Sequence, residues 1–138
     1  MSVVLGYDES PGAARALRIA IEVAAAFGER LVLVYGAAPP GAAGEEYRSH
    51  YEAIRQAGRT GLEHAVEAAD EAGVPAAVEV IDKNPAQALI DAASRHGARV
   101  IVVGSWGESP MRGALLGSTP HKLLHLSTVP VLCVPTEV

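Results

Sequence analysis

Three short runs of this chain carry almost no polar residue: Val3-Val4-Leu5, Leu31-Val32-Leu33-Val34-Tyr35 and Val100-Ile101-Val102-Val103. A strand with one face in water alternates apolar and polar positions. A continuous β-branched run instead needs cover on both faces, which is the situation inside a parallel sheet. Two further runs complete the set. Ala77-Val78-Glu79-Val80-Ile81 is broken by Glu79, which marks it as a candidate edge strand, and Val129 to Val134 is the last.

Helical patterns lie between the runs, with consistent punctuation. Ser10-Pro11, Asn84-Pro85 and Thr119-Pro120 each place a capping residue before a proline at the first helical position. Gly28, Gly73 and Gly97 each stand just past a helical stretch and just before a strand, the position that takes a left-handed backbone. Apolar stripes run along Leu17, Ile21 and Ala24, along Tyr47, Tyr51, Ile54, Leu62, Val66 and Ala69, and along Leu89, Ile90 and Ala93. Gly58 and Gly61 weaken the second of these helices by about 1 kcal/mol each. The order β-α-β-α-β-α-β-α-β predicts an α/β fold: an open five-stranded parallel sheet with helices on both faces, joined by right-handed crossovers. With 138 residues, 49% of them hydrophobic, the expectation is one domain over residues 1–138. One Phe, one Trp and four Tyr leave the core to Ala, Val, Leu and Ile.

Charge and cysteine content exclude several classes. Eleven basic against sixteen acidic residues give a net charge of −5, which argues against nucleic acid or an anionic membrane as the main partner. The single cysteine, Cys133, rules out an internal disulfide or a Cys-rich zinc site and reads as a buried, inert thiol. Met1 leads into Ser2-Val3-Val4-Leu5 with no basic leader, and the apolar stretch from Ala13 to Phe27 carries Arg15, Arg18 and Glu22, so it is no membrane span. The expected location is the cytoplasm.

In an open α/β sheet, ligands bind beyond the carboxyl ends of the strands. The residues to inspect there are Gly6-Tyr7-Asp8, Tyr35-Gly36, Asp82 and Gly104. Gly104 opens the most informative segment: Gly104 and Gly107 stand three apart, and nine residues separate Gly107 from Gly117-Ser118-Thr119-Pro120. Glycines let backbone N–H groups approach an anion, and a capped helix following them adds free amides, hydroxyls and a positive dipole end. This is phosphate-binding chemistry, with simple turn formation as the alternative. Asp8 serves equally as a ligand contact or as a partner for a helix dipole. Arg112 can meet a phosphate or Glu108, and Trp106 can stack on a ligand or cover apolar surface. His121 and His125 stand four apart on the last helix, a metal-compatible spacing. No third ligand accompanies them, so the reading is a surface helix and no metal site.

The segment resembles the Gly-x2-Gly-x9-Gly-(Ser/Thr) signature of ATP-binding members of the universal stress protein (UspA-like) family. The likeness extends to the opening Val-Val-Leu-Gly-Tyr-Asp8-Glu-Ser10, the Leu-Val-Leu-Val-Tyr35 strand, the approach to Gly104 and the Val-Pro-Val-Leu-Cys-Val-Pro135 end. It implies sheet order 3-2-1-4-5 in an adenine-nucleotide alpha-hydrolase-like fold, with the nucleotide across the ends of strands 1, 2 and 4. It implies that Asp8 contacts the adenosine, that the backbone of Tyr35 and Gly36 meets the adenine edge, and that Gly104, Gly107, Gly117, Ser118 and Thr119 cradle ribose and phosphates. Trp106 replaces a commonly basic or polar residue, and Pro120 removes one amide donor.

The sequence has no Gly-x4-Gly-Lys-(Ser/Thr) loop, no Gly-x-Gly-x-x-Gly after the first strand and no Gly-x-Ser-x-Gly elbow. No Ser-His-Asp or Cys-His set is evident, and no residue stands out as activating water. The expectation is therefore a binding module rather than an enzyme. It would hold ATP, with ADP or AMP as alternatives, and Mg²⁺ or Mn²⁺ would enter only through the nucleotide phosphates. A slow ATPase and a dimeric interaction protein with a vestigial site are the competing readings. The apolar last strand, an edge in the implied order, together with the resemblance, implies a homodimer through residues from Val129 to Pro135.

Overall fold

The computed structural model describes residues 1–8, 11–36, 45–105 and 117–136. Among them strands and helices alternate as β1 (Ser2–Gly6), α1 (Pro11–Phe27), β2 (Arg30–Gly36), α2 (Glu45–Glu71), β3 (Ala76–Ile81), α3 (Pro85–His96), β4 (Ala98–Gly104), α4 (Ser118–Leu126) and β5 (Val131–Val134). The strands form one parallel sheet in the order β3-β2-β1-β4-β5. The interrupted run is an edge strand, as its pattern predicts. The capping residue expected at Ser10 lies outside the described residues.

The three uninterrupted runs occupy the sheet centre. Val3, Val4 and Leu5 of β1 have 0% exposure and pair with β2 on one side and β4 on the other. Side chains alternate between faces with period two. Val3, Leu5, Leu31, Leu33 and Val102 face α1 and α2, where Ala16, Ala20, Ala24, Leu62, Ala65 and Ala69 cover them. Val4, Val32, Val34, Ile101 and Val103 face α3 and α4, beneath Ala88, Leu89, Ala92 and Leu123. Alanine is the main covering residue, so the helices sit close to the sheet and the core needs few aromatics. Cys133 on β5 is half-buried, and burial pushes its thiol pKa up, in keeping with an inert thiol.

The helix signals hold most fully at α3. The Asn84 side chain accepts from the Gln87 amide at 3.0 Å, Pro85 is the first helical residue, and Gly97 closes the helix at φ 58°. Two expectations need correction. α4 starts earlier than Thr119-Pro120 implied: Gly117 is its N-cap, with no side-chain cap bond, and Pro120 is the third helical residue. The cause is the Gly117 amide, which donates to the Ser105 carbonyl at 2.8 Å and pins the chain so that the helix begins at once. β5 begins at Val131 rather than Val129, because the Ser127 hydroxyl holds the Val129 backbone in a turn and Pro130 has no N–H to offer the ladder.

Gly58 also acts differently from a helix weakener. A Cβ there would lie 2.4 Å from Cδ1 of Tyr35, so α2 carries glycine where the Tyr35 ring packs against it. α2 nevertheless runs unbroken over 27 residues.

At the amino ends of β2 and β4, and midway along β3, charged groups pair with one another. Arg95 grips Glu79 through both carboxylate oxygens, at 2.6 and 3.0 Å, and His96 Nε2 lies 3.3 Å from the same carboxylate. Arg99 donates twice to Glu29 and stacks over Phe27 at 4.2 Å. Hydrogen bonds from Arg99 and Arg95 hold the Glu29 and Glu79 carboxyls below the ordinary carboxylate range.

Two outcomes follow from this packing. Gly58→Ala gains about 1 kcal/mol of helix propensity but overpacks Tyr35, which costs about 1–3 kcal/mol. Its urea midpoint should fall, whereas in a Tyr35→Ala background the same change should raise it. A Gly58→Ala chain at least as stable as the unmodified one would contradict the contact. The second outcome concerns acid. Depressed carboxylate pKa values add stability above the unfolded-state value, and this is lost as pH falls through the folded-state value. Glu79→Gln should therefore lower the midpoint at neutral pH and flatten its decline below about pH 5. Parallel pH profiles for the two chains would count against the pairing.

Candidate functional site

β1 and β4 are neighbours whose following segments leave toward opposite faces of the sheet, one to α1 and the other to α4. Divergence of this kind opens a crevice beyond the carboxyl ends of the strands. The crevice is present, with about 670 Å³ of empty space that includes the solvent in its open mouth.

Seven of the nine residues singled out from the sequence line this cleft: Asp8, Tyr35, Gly36, Gly104, Gly117, Ser118 and Thr119. Gly107 and Arg112, with Trp106 and Glu108, lie outside the described residues. Asp82, at the end of β3, does not line the cleft and instead pairs with Arg55 of α2. Sequence reasoning missed Ala13, Val34, Pro85, Leu89 and Val103, which also form its walls. Pro85 was the most accessible of these, since the Asn84-Pro85 cap already placed a helix start beside a strand end.

Two of the glycines allow close approach of backbone to backbone. A Cβ at Gly36 would lie 2.7 Å from Pro85 Cα, and one at Gly104 would lie 3.0 Å from the Gly12 carbonyl carbon. Glycine at these strand ends thus brings the first turns of α3 and α1 to the cleft, so three helix N-termini, those of α1, α3 and α4, converge there. Their positive dipole ends make it favourable for an anion.

The three N-termini are not equivalent. α1 and α3 open with Pro11 and Pro85, and the Asn84 side chain engages the Gln87 amide. α4 has no side-chain cap. The Gly117 amide is engaged by Ser105, but the Ser118 and Thr119 amides have no acceptor among the described residues. Gly117 has φ −65° and ψ 169°, which any residue adopts, so its backbone conformation does not require glycine. Gly117 lines the cleft together with Ser118 and Thr119, which carry these two amides.

The walls differ in chemistry along the cleft. Val34, Pro85 and Leu89 make the β2–α3 flank apolar, while the Tyr35 ring packs on the other face of the sheet against Gly58 of α2. Ser118 and Thr119 make the α4 flank a set of hydrogen-bond donors. Asp8 lies beyond β1, where the Tyr7 amide extends the ladder to Val34 O at 3.1 Å. It is the one carboxylate among the described lining residues. Among the described residues no three His, Cys, Asp or Glu side chains gather as a metal-binding group, and no helix is long and apolar enough to cross a membrane.

Comparison with known proteins gives the same architecture. No curated protein sequence matches the chain. A universal stress protein family structure from Burkholderia pseudomallei is 30% identical, with 97% of this chain and 96% of that chain covered and a TM-score of 0.78. A universal stress protein in complex with cAMP is 28% identical, covers 99% of this chain and 98% of that chain, and has a TM-score of 0.78. An Arabidopsis thaliana universal stress protein family structure with AMP bound shares the fold at 16% identity and TM-score 0.73, over 100% of this chain and 94% of that chain. The universal stress protein family model matches residues 1–135, and the chain belongs to that family.

Proposed function

We propose that this protein binds an adenine nucleotide in the cleft between β1, β2 and β4, and that occupancy by the nucleotide is the signal it carries as a stress-response module. The observation that supports this most directly is the gradient along the cleft. An apolar flank at Val34, Pro85 and Leu89 suits a base, and the α4 N-terminus, with two amides that have no acceptor among the described residues, suits a phosphate. The family setting supports the same ligand class, since related structures hold cAMP and AMP. In this orientation the adenine lies toward the Tyr35-Gly36 backbone, Asp8 meets the ribose, and phosphates extend to Ser118 and Thr119. ATP, ADP and AMP share that anchor. Mg²⁺ or Mn²⁺ enters with a polyphosphate, held by its oxygens and water as hard ligands.

Holding the nucleotide, rather than hydrolysing it, is the proposed role. Asp8 is the sole carboxylate among the described lining residues, and no His, Glu or Lys among them faces the ligand to activate water. Single-turnover measurement with ATP tests this: slow release of phosphate by the unmodified chain, abolished by Asp8→Asn, would convert the reading to a slow ATPase. The protein is further proposed to pair with a second copy through β5. That strand is one of the two edges of the sheet, and Leu132 on it is 38% exposed, whereas Val134 at 4% belongs to the chain's own core.

Each half of this reading has its own measurement. Gly117→Val fills the space before the Ser118 and Thr119 amides at a backbone conformation valine tolerates. Affinity for a fluorescent ATP or AMP analogue should drop at least about tenfold, worth about 1.4 kcal/mol, with little change in Tm. Retained affinity would remove α4 from the site. For the dimer, Leu132→Lys should give monomers by light scattering at tens of micromolar while nucleotide binding persists. A monomeric unmodified chain under those conditions would overturn the pairing.

A further inference from the structure

α4 is held to the sheet by Leu123, which is fully buried in the core shared with α3. At about 100° per residue, positions two before and two after Leu123 lie on the opposite side of the helix. Those positions are His121 and His125, and both are exposed. Their ring centroids are 4.8 Å apart with planes inclined at 73°. Apart from each other, the two rings have no hydrogen-bond or ion-pair partner among the described residues.

We infer that His121 and His125 form a chelating site for a divalent transition-metal ion, with water in the remaining positions. The ring separation supports this quantitatively. A metal about 2.0–2.1 Å from an imidazole nitrogen lies about 3.2 Å from that ring's centroid. Two such rings are about 4.5 Å apart when cis at a right angle and about 5.2 Å apart when tetrahedral. The observed 4.8 Å falls between these values, so rotation of exposed rings with a shift of a few tenths of an ångström converges one nitrogen from each on a single ion. The spacing alone left a surface helix as the simpler reading. The rings' mutual approach and their lack of other partners are what the structure adds. The donor set, two neutral imidazoles and water, selects Cu²⁺ first, with Ni²⁺ and Zn²⁺ weaker, and gives no advantage to Mg²⁺ or Ca²⁺. This site faces away from the sheet and is separate from the nucleotide cleft, so neither depends on the other being correct.

The test uses the full chain without a histidine tag, stripped of metal, and titrated with Cu²⁺ while nitrogen hyperfine structure is followed by electron paramagnetic resonance. One Cu²⁺ per chain should bind with two nitrogens and should raise Tm, because the ion binds only the folded helix. His121→Asn and His125→Asn should each weaken binding about tenfold or more. Either single change should cost nearly as much as both together, because a chelate is lost when one arm is removed. Circular dichroism confirms that the variants keep their helix. Equal Cu²⁺ binding and equal Tm shift in the unmodified chain and the double variant would overturn the site. So would small, additive losses from the two single changes, which describe independent surface histidines.

Discussion

The placement of β1, buried on both faces and hydrogen-bonded along both edges, governs the rest of the molecule. Val3, Val4 and Leu5 are shielded from water because α1 and α2 cover one face of the sheet and α3 and α4 the other. Such a strand can sit only at the centre, and its neighbours β2 and β4 must run parallel to it through crossovers. The chain therefore departs from the ends of β1 and β4 toward opposite faces, and a cleft results from topology before any ligand chemistry is considered. The small covering residues matter here as well. Ala16, Ala20 and Ala24 let α1 lie close to the sheet, and Gly104 accepts its first turn at contact distance. Bulkier side chains there would lift the helix and carry its N-terminus away from the cleft.

The two ends of the sheet are electrostatically distinct. At the amino ends of β2 and β4 Glu29 pairs with Arg99, and midway along β3 Glu79 pairs with Arg95 beside His96; Arg95 and His96 also stand in the last turn of α3, where its dipole favours cations. At the carboxyl end, helix N-termini converge and Asp8 is the sole carboxylate among the described lining residues. A chain whose net charge is −5 thus still gathers three helix N-termini at one place. Net charge argues about bulk partners, whereas a phosphate site is built from a few oriented amides. The two statements do not conflict.

Much of this was legible in the sequence, and the parts that were not have physical reasons. Continuous apolar runs fix which strands are central because burial of both faces leaves no room for a polar residue. Caps at Asn84-Pro85 and Gly97 are local signals and were readable as such. Gly58 was not, because its role depends on Tyr35, 23 residues away on another element, and a glycine's sequence neighbours do not show what lies against it. Asp82 stands directly after β3 as the sequence implies, but which strand end meets the cleft depends on tertiary order: this one is at the sheet edge, and Arg55 pairs with its charge. The start of α4 was offset because a tertiary bond, Gly117 to Ser105, overrides the local preference for a Ser or Thr cap. Seven of the chosen site residues gather in one cleft because the rule that ligands bind at strand carboxyl ends needs only the strand ends to be placed correctly.

The start of α4 also sets how much anion the helix can hold. A helix begins with four backbone N–H groups that have no partner within it. Here the first, on Gly117, is taken by Ser105, and the fourth is missing because Pro120 has none. Two remain without an acceptor among the described residues, on consecutive residues whose side chains both carry hydroxyls. Adjacent amides reach the oxygens of one phosphate group, not the span of three. In the proposed complex α4 therefore anchors one phosphate in common among AMP, ADP and ATP, and any preference for a longer chain has to come from other groups. Gly107 and Arg112, which the sequence singles out and which lie outside the described residues, are the candidates for that difference. Ligand class would then be set by a framework of buried strands, and ligand length by the segment between β4 and α4.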